Sequence, residues 1–444
     1  MSSLLNALLA QLKQFPPARH YRVAYSGGCD SHVLLHALVA IQDQLPATVI
    51  SALHVNHGLA EEADHWAAHC EQIAVGLGVA FQAVSVDGMG DAGESPEAAA
   101  RQARYHVFKQ LMTDGDGLLL AHHEDDQAET LLLQLFRGAG VRGLAAMPRY
   151  VAFSKGWMGR PLLGVSRQHL RDYANEAGLN WIEDPGNQSP DFDRNFLRHN
   201  IIPDLLPRWP ALAHTLARAA QHQSAASRLL DELAAEDMEV LAGSRSGCLS
   251  IHALSLLSRE RQDNVLRYWI HRQGILLPSC VQLQRIHAEV LSAREDAQPQ
   301  VGWADSMIRR YQDDLYLLPA EAGRDSLACD PLDWDLKDDL ELADGRRLKL
   351  ERQKGVGLKA SLEGRSDISV RFRQGGEVCR PLGRKQGHRL KTLWQEWGVP
   401  PWERNRIPLI YAGEEIIQVL GYCICEPWQA NADESGLIIV TEQV

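Results

Sequence analysis

A short apolar run, a polar or glycine-bearing turn and a stretch with helical spacing recur four times in the first ~140 residues. YRVAY (21–25) leads into Ser26-Gly27-Gly28-Cys29-Asp30-Ser31 and then HVLLHALVAIQDQL. TVISALHV precedes EEADHWAAHCEQIAVGLG, FQAVSV precedes PEAAARQARYHVFKQLM, and GLLLA precedes a polar HHEDD turn and QAETLLLQLFRG. Strand–helix alternation of this kind predicts the doubly wound α/β class, a parallel sheet with helices on both faces. Ligands of such folds bind beyond the carboxyl ends of the strands, and SGGCDS and HHEDD both fall on that edge.

The hexapeptide has the composition of a phosphate cradle. Gly27 and Gly28 let backbone amides approach an anion, Ser26 and Ser31 add hydroxyls, Cys29 adds an amide, and the following helix turns its N-terminus toward the ligand. It lacks the GxxxxGK[ST] pattern and its lysine. Asp30 would stand beside phosphates that repel it unless a divalent cation lies between, so Asp30 implies Mg²⁺ as its metal. A tight turn capping a helix with serine would use the same residues.

At the fourth turn His122, His123, Glu124, Asp125 and Asp126 stand in succession. A helix starting near Glu124 lets His122 and Asp126 converge, with Leu131, Leu132 and Leu135 toward the core. Acids in a first helical turn also serve simply as dipole partners. His54, His57, His122 and His123 include no HxxxH pair of the zinc type. Arg101 and Arg104, at i and i+3 of one helix, are candidates to neutralise phosphate, and Arg137 and Arg142 are expected at the same rim.

The 444 residues suffice for about two to four domains. A catalytic α/β domain is expected over 1–210, a helical domain over 211–325 around the long TLARAAQHQSAASRLLDELAAEDMEVL pattern, and a small α+β domain over 326–444. The net charge of −12 is unevenly spread. Arg137–Tyr173 holds seven basic residues against Asp172 alone, and Arg365–Ile407 holds ten against four acids. Such islands draw a polyanion to chosen faces of an acidic protein. Trp394, Trp397 and Trp402 within the second island suit either base stacking or a helix core.

Neither an apolar run of membrane-spanning length nor a leader pattern occurs, which predicts a cytoplasmic protein with no membrane partner. The eight cysteines include no CxxC, which points away from zinc, iron–sulfur or disulfide frameworks. Cys423 and Cys425 alternate as strand residues on one face and read as packing.

Ser26-Gly27-Gly28-x-Asp30-Ser31 resembles the signature of the PP-loop ATP pyrophosphatases, which have an adenine nucleotide α-hydrolase-like fold. HVNHGL (54–59), EAAARQARY (97–105), the HHEDD segment (122–147), RPLL (160–163), WIEDPGN (181–187) and RNFLRHNIIP (194–203), with the RPLGR…PLIY segment, resemble the tRNA(Ile)-lysidine synthases. That resemblance implies ligation of free L-lysine to carbon 2 of the wobble cytidine in the CAU anticodon of an isoleucine tRNA. ATP would be cleaved to AMP and pyrophosphate with Mg²⁺ present. It carries phosphate binding to Ser26–Ser31 and metal linkage to Asp30. Catalytic roles pass to His122 and Asp126, with either as the base for lysine, and to Arg101 or Arg104. Gly186 replaces the commoner serine of DPSN. A homodimer is left open. The rivals are a PP-loop tRNA thiolase using Cys29 or Cys70, an RNA-binding protein without catalysis, and a small-molecule ligase.

Overall fold

Tyr21 and Val23 alternate inward on β1 (His20–Ala24), which pairs in parallel with β2 (Val49–Asn56) on one side and β4 (Asp116–Leu119) on the other. With β3 (Ala80–Ser85), β5 (Tyr150–Phe153) and β6 (Gly156–Gly159), they form a six-stranded sheet of order β3-β2-β1-β4-β6-β5, in which only the edge strand β5 runs antiparallel. The chain therefore moves outward from β1 to β3 and then crosses back to β4. The order reverses between β1 and β4, so the loops leaving these strands lie side by side. The expected doubly wound sheet is present.

This computed structural model describes residues 2–45, 49–56, 62–86, 96–183, 192–294, 297–322 and 330–443. They fall in two compact units, Met1–Glu232 and Leu233–Val444. His57 and the DPGN segment lie outside the described residues.

In the first unit one core gathers Leu4, Leu8 and Leu12 of α1 (Ser3–Leu12), the apolar residues of α2 (Cys29–Ala40), Cys70 of α3 (Ala63–Gly76) and Leu170 of α7 (Arg167–Glu176). A second core joins Phe108 of α4 (Pro96–Leu111) to Leu53, Leu118 and Met158 of the sheet. Val33, Leu34, Leu35 and Leu38 of α2 are all fully buried, so this helix is held by packing around most of its circumference.

The helix after the fourth turn, α5 (Glu124–Phe136), buries Ala128 and Leu131 but leaves Leu135 54% exposed, contrary to the expected core face. A short α6 (Val141–Leu144) follows α5, while α8 (Asp193–Phe196), a π-helical turn over Leu197–Ile201 and α9 (Ile202–Leu205) lead to the 28-residue α10 (Leu212–Glu239). Along α10, His214 meets Glu124 and Asp231 meets Arg142. At 1.5 Å per residue these contacts are about 25 Å apart. Arg142 is thus ion-paired at the far end of α5 and does not join the rim where the sequence placed it.

The second unit first packs the helix Arg259–Arg272 and the segment Cys280–Leu291 on a four-stranded antiparallel sheet. Val265, Leu266, Trp269 and Ile270 meet Val301, Ile308 and Leu315 there. It then continues into five- and four-stranded antiparallel sheets with the helix Leu390–Glu396. Trp402 packs edge-on against Tyr311 and Tyr316, joining the two parts. Among the described residues no helix is long and apolar enough to cross a membrane.

Of the two roles open to the indoles of the second island, packing is the one observed. Trp394 is fully buried and Trp402 is 7% exposed, while Trp397 stacks on Tyr422. Helical spacing put these indoles inward. The basic island is also partly neutralised, by Arg365–Asp367, Arg380–Glu426 and Arg384–Glu396 pairs. Lys385, Arg389 and Lys391 are exposed and have no ion pair among the described residues. Trp394→Ala should therefore cost about 3–5 kcal/mol of stability in urea unfolding, whereas Lys385→Ala with Arg389→Ala should stay within about 0.5 kcal/mol.

Candidate active site

Between β1 and α2 the chain turns through Gly27 at φ +86°, a left-handed conformation that glycine adopts freely. A Cβ there would lie 2.7 Å from Cys70 Sγ and 2.9 Å from Ile182 Cδ1, so no other residue fits without displacement. Ser31 Oγ lies 3.1 Å from Ser26 Oγ and donates to the Gly28 carbonyl at 3.0 Å. Gly28 is the N-cap of α2 and brings no side chain to it. The amides of Cys29, Asp30 and Ser31 thus lie in the first turn, whose N–H groups have no carbonyl partners within the helix. Hydroxyls, orphan amides and the helix dipole make this an anion cradle.

Across the switch point His123 is the N-cap of α5 and the hub of an acidic cluster. Its Nε2 lies 3.5 Å from Asp30 Oδ2 and 3.4 Å from Asp126 Oδ2, and its Nδ1 lies 3.6 Å from Asp125 Oδ2. Asp126 Oδ2 also accepts from the His123 amide at 3.0 Å, and Asp125 Oδ2 from the Arg167 amide at 2.8 Å. Burial opposes a charged His123, but Asp126, Asp125 and Asp30 outweigh it and raise its pKa to about 10. With Nδ1 protonated, the 3.4 Å approach of the Asp126 amide to that atom is a contact and not a hydrogen bond. For Asp126, burial is likewise outweighed, here by His123 and Arg194, and its pKa falls to about 2.

His122 behaves in the opposite way. Burial lowers its pKa to about 3, Asp126 opposes the shift, and Arg160, Arg194 and Arg101 reinforce it. Nδ1 of this neutral ring accepts from Arg160 Nε at 3.3 Å, so its proton sits on Nε2. The adjacent histidines are divided by their neighbours. His122 and Asp126 act electrostatically on each other, as their spacing leads one to expect, while the ion pair of Asp126 within this turn is with His123, whose ring the cap position aims back over the helix start.

Sequence reasoning passed over a second layer. Glu129, 1% exposed and one turn beyond Asp126, receives Arg194 Nε at 2.7 Å and Arg198 Nε at 2.6 Å. Arg194 and Arg198 also reach Asp126 Oδ1, at 3.2 and 3.0 Å. Acids at i, i+3 on α5 thereby meet arginines at i, i+4 across α8 and the π-helical turn. The signal was the matching helical spacing in the two segments. It could not be interpreted without knowing that they touch.

Comparison with known proteins shows the family. Family profiles described as a PP-loop domain, a TilS substrate binding domain and a TilS substrate C-terminal domain match residues 2–205, 249–316 and 368–440. A protein of Coxiella burnetii named tRNA(Ile)-lysidine synthase is 45% identical over 418 residues, covering 94% of this chain and 92% of its own. Proteins of the same name from Methylococcus capsulatus and Serratia proteamaculans are each 43% identical over 96% of both chains. The chain belongs to the tRNA(Ile)-lysidine synthase family.

Cys29 after the loop and Cys70 of α3 are poor nucleophiles: burial raises their thiols to about 11 and about 12. Of the two arginines of α4, Arg101 stacks on Tyr105 and acts electrostatically on His122 and Arg160, whereas Arg104 acts on His54. Asp30, with its side chain 36% exposed, offers the hard oxygen donor that Mg²⁺ takes alongside nucleotide phosphates. Asp126 is already matched to three cations and fits that role less well.

Two outcomes follow for the nucleotide-free protein. By imidazole NMR, His123 should keep both ring protons above pH 8 while His122 stays neutral at pH 5. The His123 contribution to stability is then fully present below its ordinary 6.5 and lost as pH rises through about 10. That of Asp126 is present above its ordinary 3.8 and lost as pH falls toward about 2. Glu129→Gln leaves two arginines under-compensated and should cost on the order of 3 kcal/mol in denaturant unfolding.

Proposed function

We propose that this chain joins the side-chain amine of free lysine to carbon 2 of the wobble cytidine in the CAU anticodon of an isoleucine tRNA, consuming ATP and releasing AMP and pyrophosphate. The observation that carries the reading is the convergence of Asp30 and Asp126 on His123 beside the open N-terminus of α2. Full-length similarity to the named family supports it.

In this reading the amides of Cys29, Asp30 and Ser31, with the Ser26 hydroxyl, hold the phosphates, and the two glycines let them approach. Asp30 would hold Mg²⁺, which when bound offsets phosphate charge as pyrophosphate leaves. His123, cationic and anchored by three carboxylates, keeps Asp30 and Asp126 close without mutual repulsion. Arg194, Arg198 and Glu129 position Asp126.

The base oxygen at carbon 2 attacks the α-phosphate, and lysine then displaces AMP. Both steps need developing negative charge to be met by fixed donors. His122 presents an Nε2–H donor and Arg101 a guanidinium beside it, so their roles are hydrogen bonding and charge neutralisation. Neither His122 nor Asp126 has the proton affinity of a general base for an ammonium of ordinary pKa near 10.4. Lys385, Arg389 and Lys391 supply cations for the tRNA backbone, with 1–210 as the catalytic region and 211–325 and 326–444 as tRNA-binding regions. The reaction belongs in the cytoplasm, with tRNA and free lysine.

The test is tRNA-dependent incorporation of labelled lysine with α-labelled ATP and Mg²⁺. Asp30→Ala should abolish it, and Arg101→Ala should lower it ~10²-fold or more, well beyond Arg104→Ala. His122→Gln, which keeps an N–H, should retain more activity than His122→Ala; equal loss in both would refute the donor role. ATP cleavage without lysine transfer would refute the substrate assignment.

A further inference from the structure

The spacing of the cysteines gave no metal signature, yet folding brings three of them together in the second unit. The sulfurs of Cys379, Cys423 and Cys425 all lie within 4.8 Å of one another. Cys379 stands on the short ladder Val378–Cys379 with His388–Arg389, and Cys423 on the strand that pairs with Glu415–Val419. Cys425 donates its amide to the Ile417 carbonyl at 2.8 Å and bridges to Pro381. Backbone pairing therefore sets all three positions before any ligand arrives. Cys379 is 4% exposed, Cys425 1%, and Cys423 is half-buried, which leaves one side of the cluster open to solvent.

A four-coordinate zinc ion with Zn–S bonds of about 2.3 Å holds its sulfurs about 3.8 Å apart. Sulfurs already within 4.8 Å reach that spacing by shifts of an ångström or less. Three side chains of one soft-donor type, converging from two segments remote in sequence, form a donor set for a thiophilic d¹⁰ cation and a poor one for Mg²⁺.

We propose that Cys379, Cys423 and Cys425 form a tri-thiolate site for Zn²⁺, with water in the fourth position. Each thiol that binds releases its proton to solvent, and no electron changes hands. The site belongs to the second unit and the nucleotide cradle to the first. Its structural effect is local: Cys379 precedes the loop carrying Arg380, Arg384 and Lys385, and the ion ties the start of that loop to the Cys423–Cys425 strand.

The experiment uses the full chain, reduced and stripped of metal, titrated first with Co²⁺ as a spectroscopic probe. Thiolate-to-cobalt charge-transfer absorption with the visible bands of tetrahedral cobalt is expected, saturating at about one ion per chain and bleached by Zn²⁺. A competing Cu⁺ titration distinguishes the two thiophilic ions: the assignment requires that Zn²⁺ be the ion retained when the protein is isolated from cells. Cys423→Ser, at the half-exposed position, should abolish the charge-transfer band while the protein stays folded, and Cys280→Ser should leave it unchanged. Chelation should lower Tm in the parent protein and not in Cys423→Ser. The proposal is overturned if the reduced parent chain gives no thiolate–cobalt band. It is equally overturned if native mass measurement shows a cluster two hydrogens lighter, which would make it a disulfide.

Discussion

Parallel pairing of β1 with both β2 and β4 is the constraint on which the catalytic unit depends. Because the chain leaves β1 toward one edge and returns at β4 on the other side, two loops remote in sequence open at the same place. Nothing else in the unit would bring Asp30 within reach of His123. The apolar belt of α2 fixes the angle at which its N-terminus meets that opening, and Gly27 allows the turn into it because Cys70 and Ile182 leave no room for a side chain.

Charge then arranges the opening. Asp30, Asp125, Asp126 and Glu129 would repel one another if left alone in a partly buried setting. His123, Arg194 and Arg198 lie among them, so the cluster is nearly balanced before an anionic substrate enters. The same field separates two adjacent histidines, making one a cation and the other a neutral donor at neutral pH. A site built this way orients hydrogen bonds and offsets charge, which matches phosphoryl transfer better than proton abstraction.

The second unit follows a different rule. Its indoles and several guanidiniums are spent on its own packing: Trp394 lies in the core, Arg404 donates to the Val399 carbonyl, and Arg245 pairs with Glu403. Among the described residues, the exposed cations of the basic island that lie outside ion pairs include Lys385, Arg389 and Lys391. Counting basic residues along the chain overstates a binding surface, because a guanidinium beside a carboxylate has little field left for phosphate.

Much of the fold was legible without coordinates, since strand and helix periodicities are local properties and the alternation of elements restricts topology to few choices. The hexapeptide and Asp30 were legible for the same reason: loop, glycines and helix start are contiguous. The Arg194–Glu129–Arg198 layer, the pairing of Arg142 with Asp231 and the meeting of Cys379 with Cys423 and Cys425 were not. Each joins segments far apart in the chain, through side-chain directions set by packing. The sequence by itself determined the class of fold and the nature of the loop chemistry, because both reside in short-range order. Only the tertiary structure decided which charges meet, and therefore which groups carry protons, because Coulomb interactions and desolvation depend on distance and burial, which no run of neighbouring residues encodes.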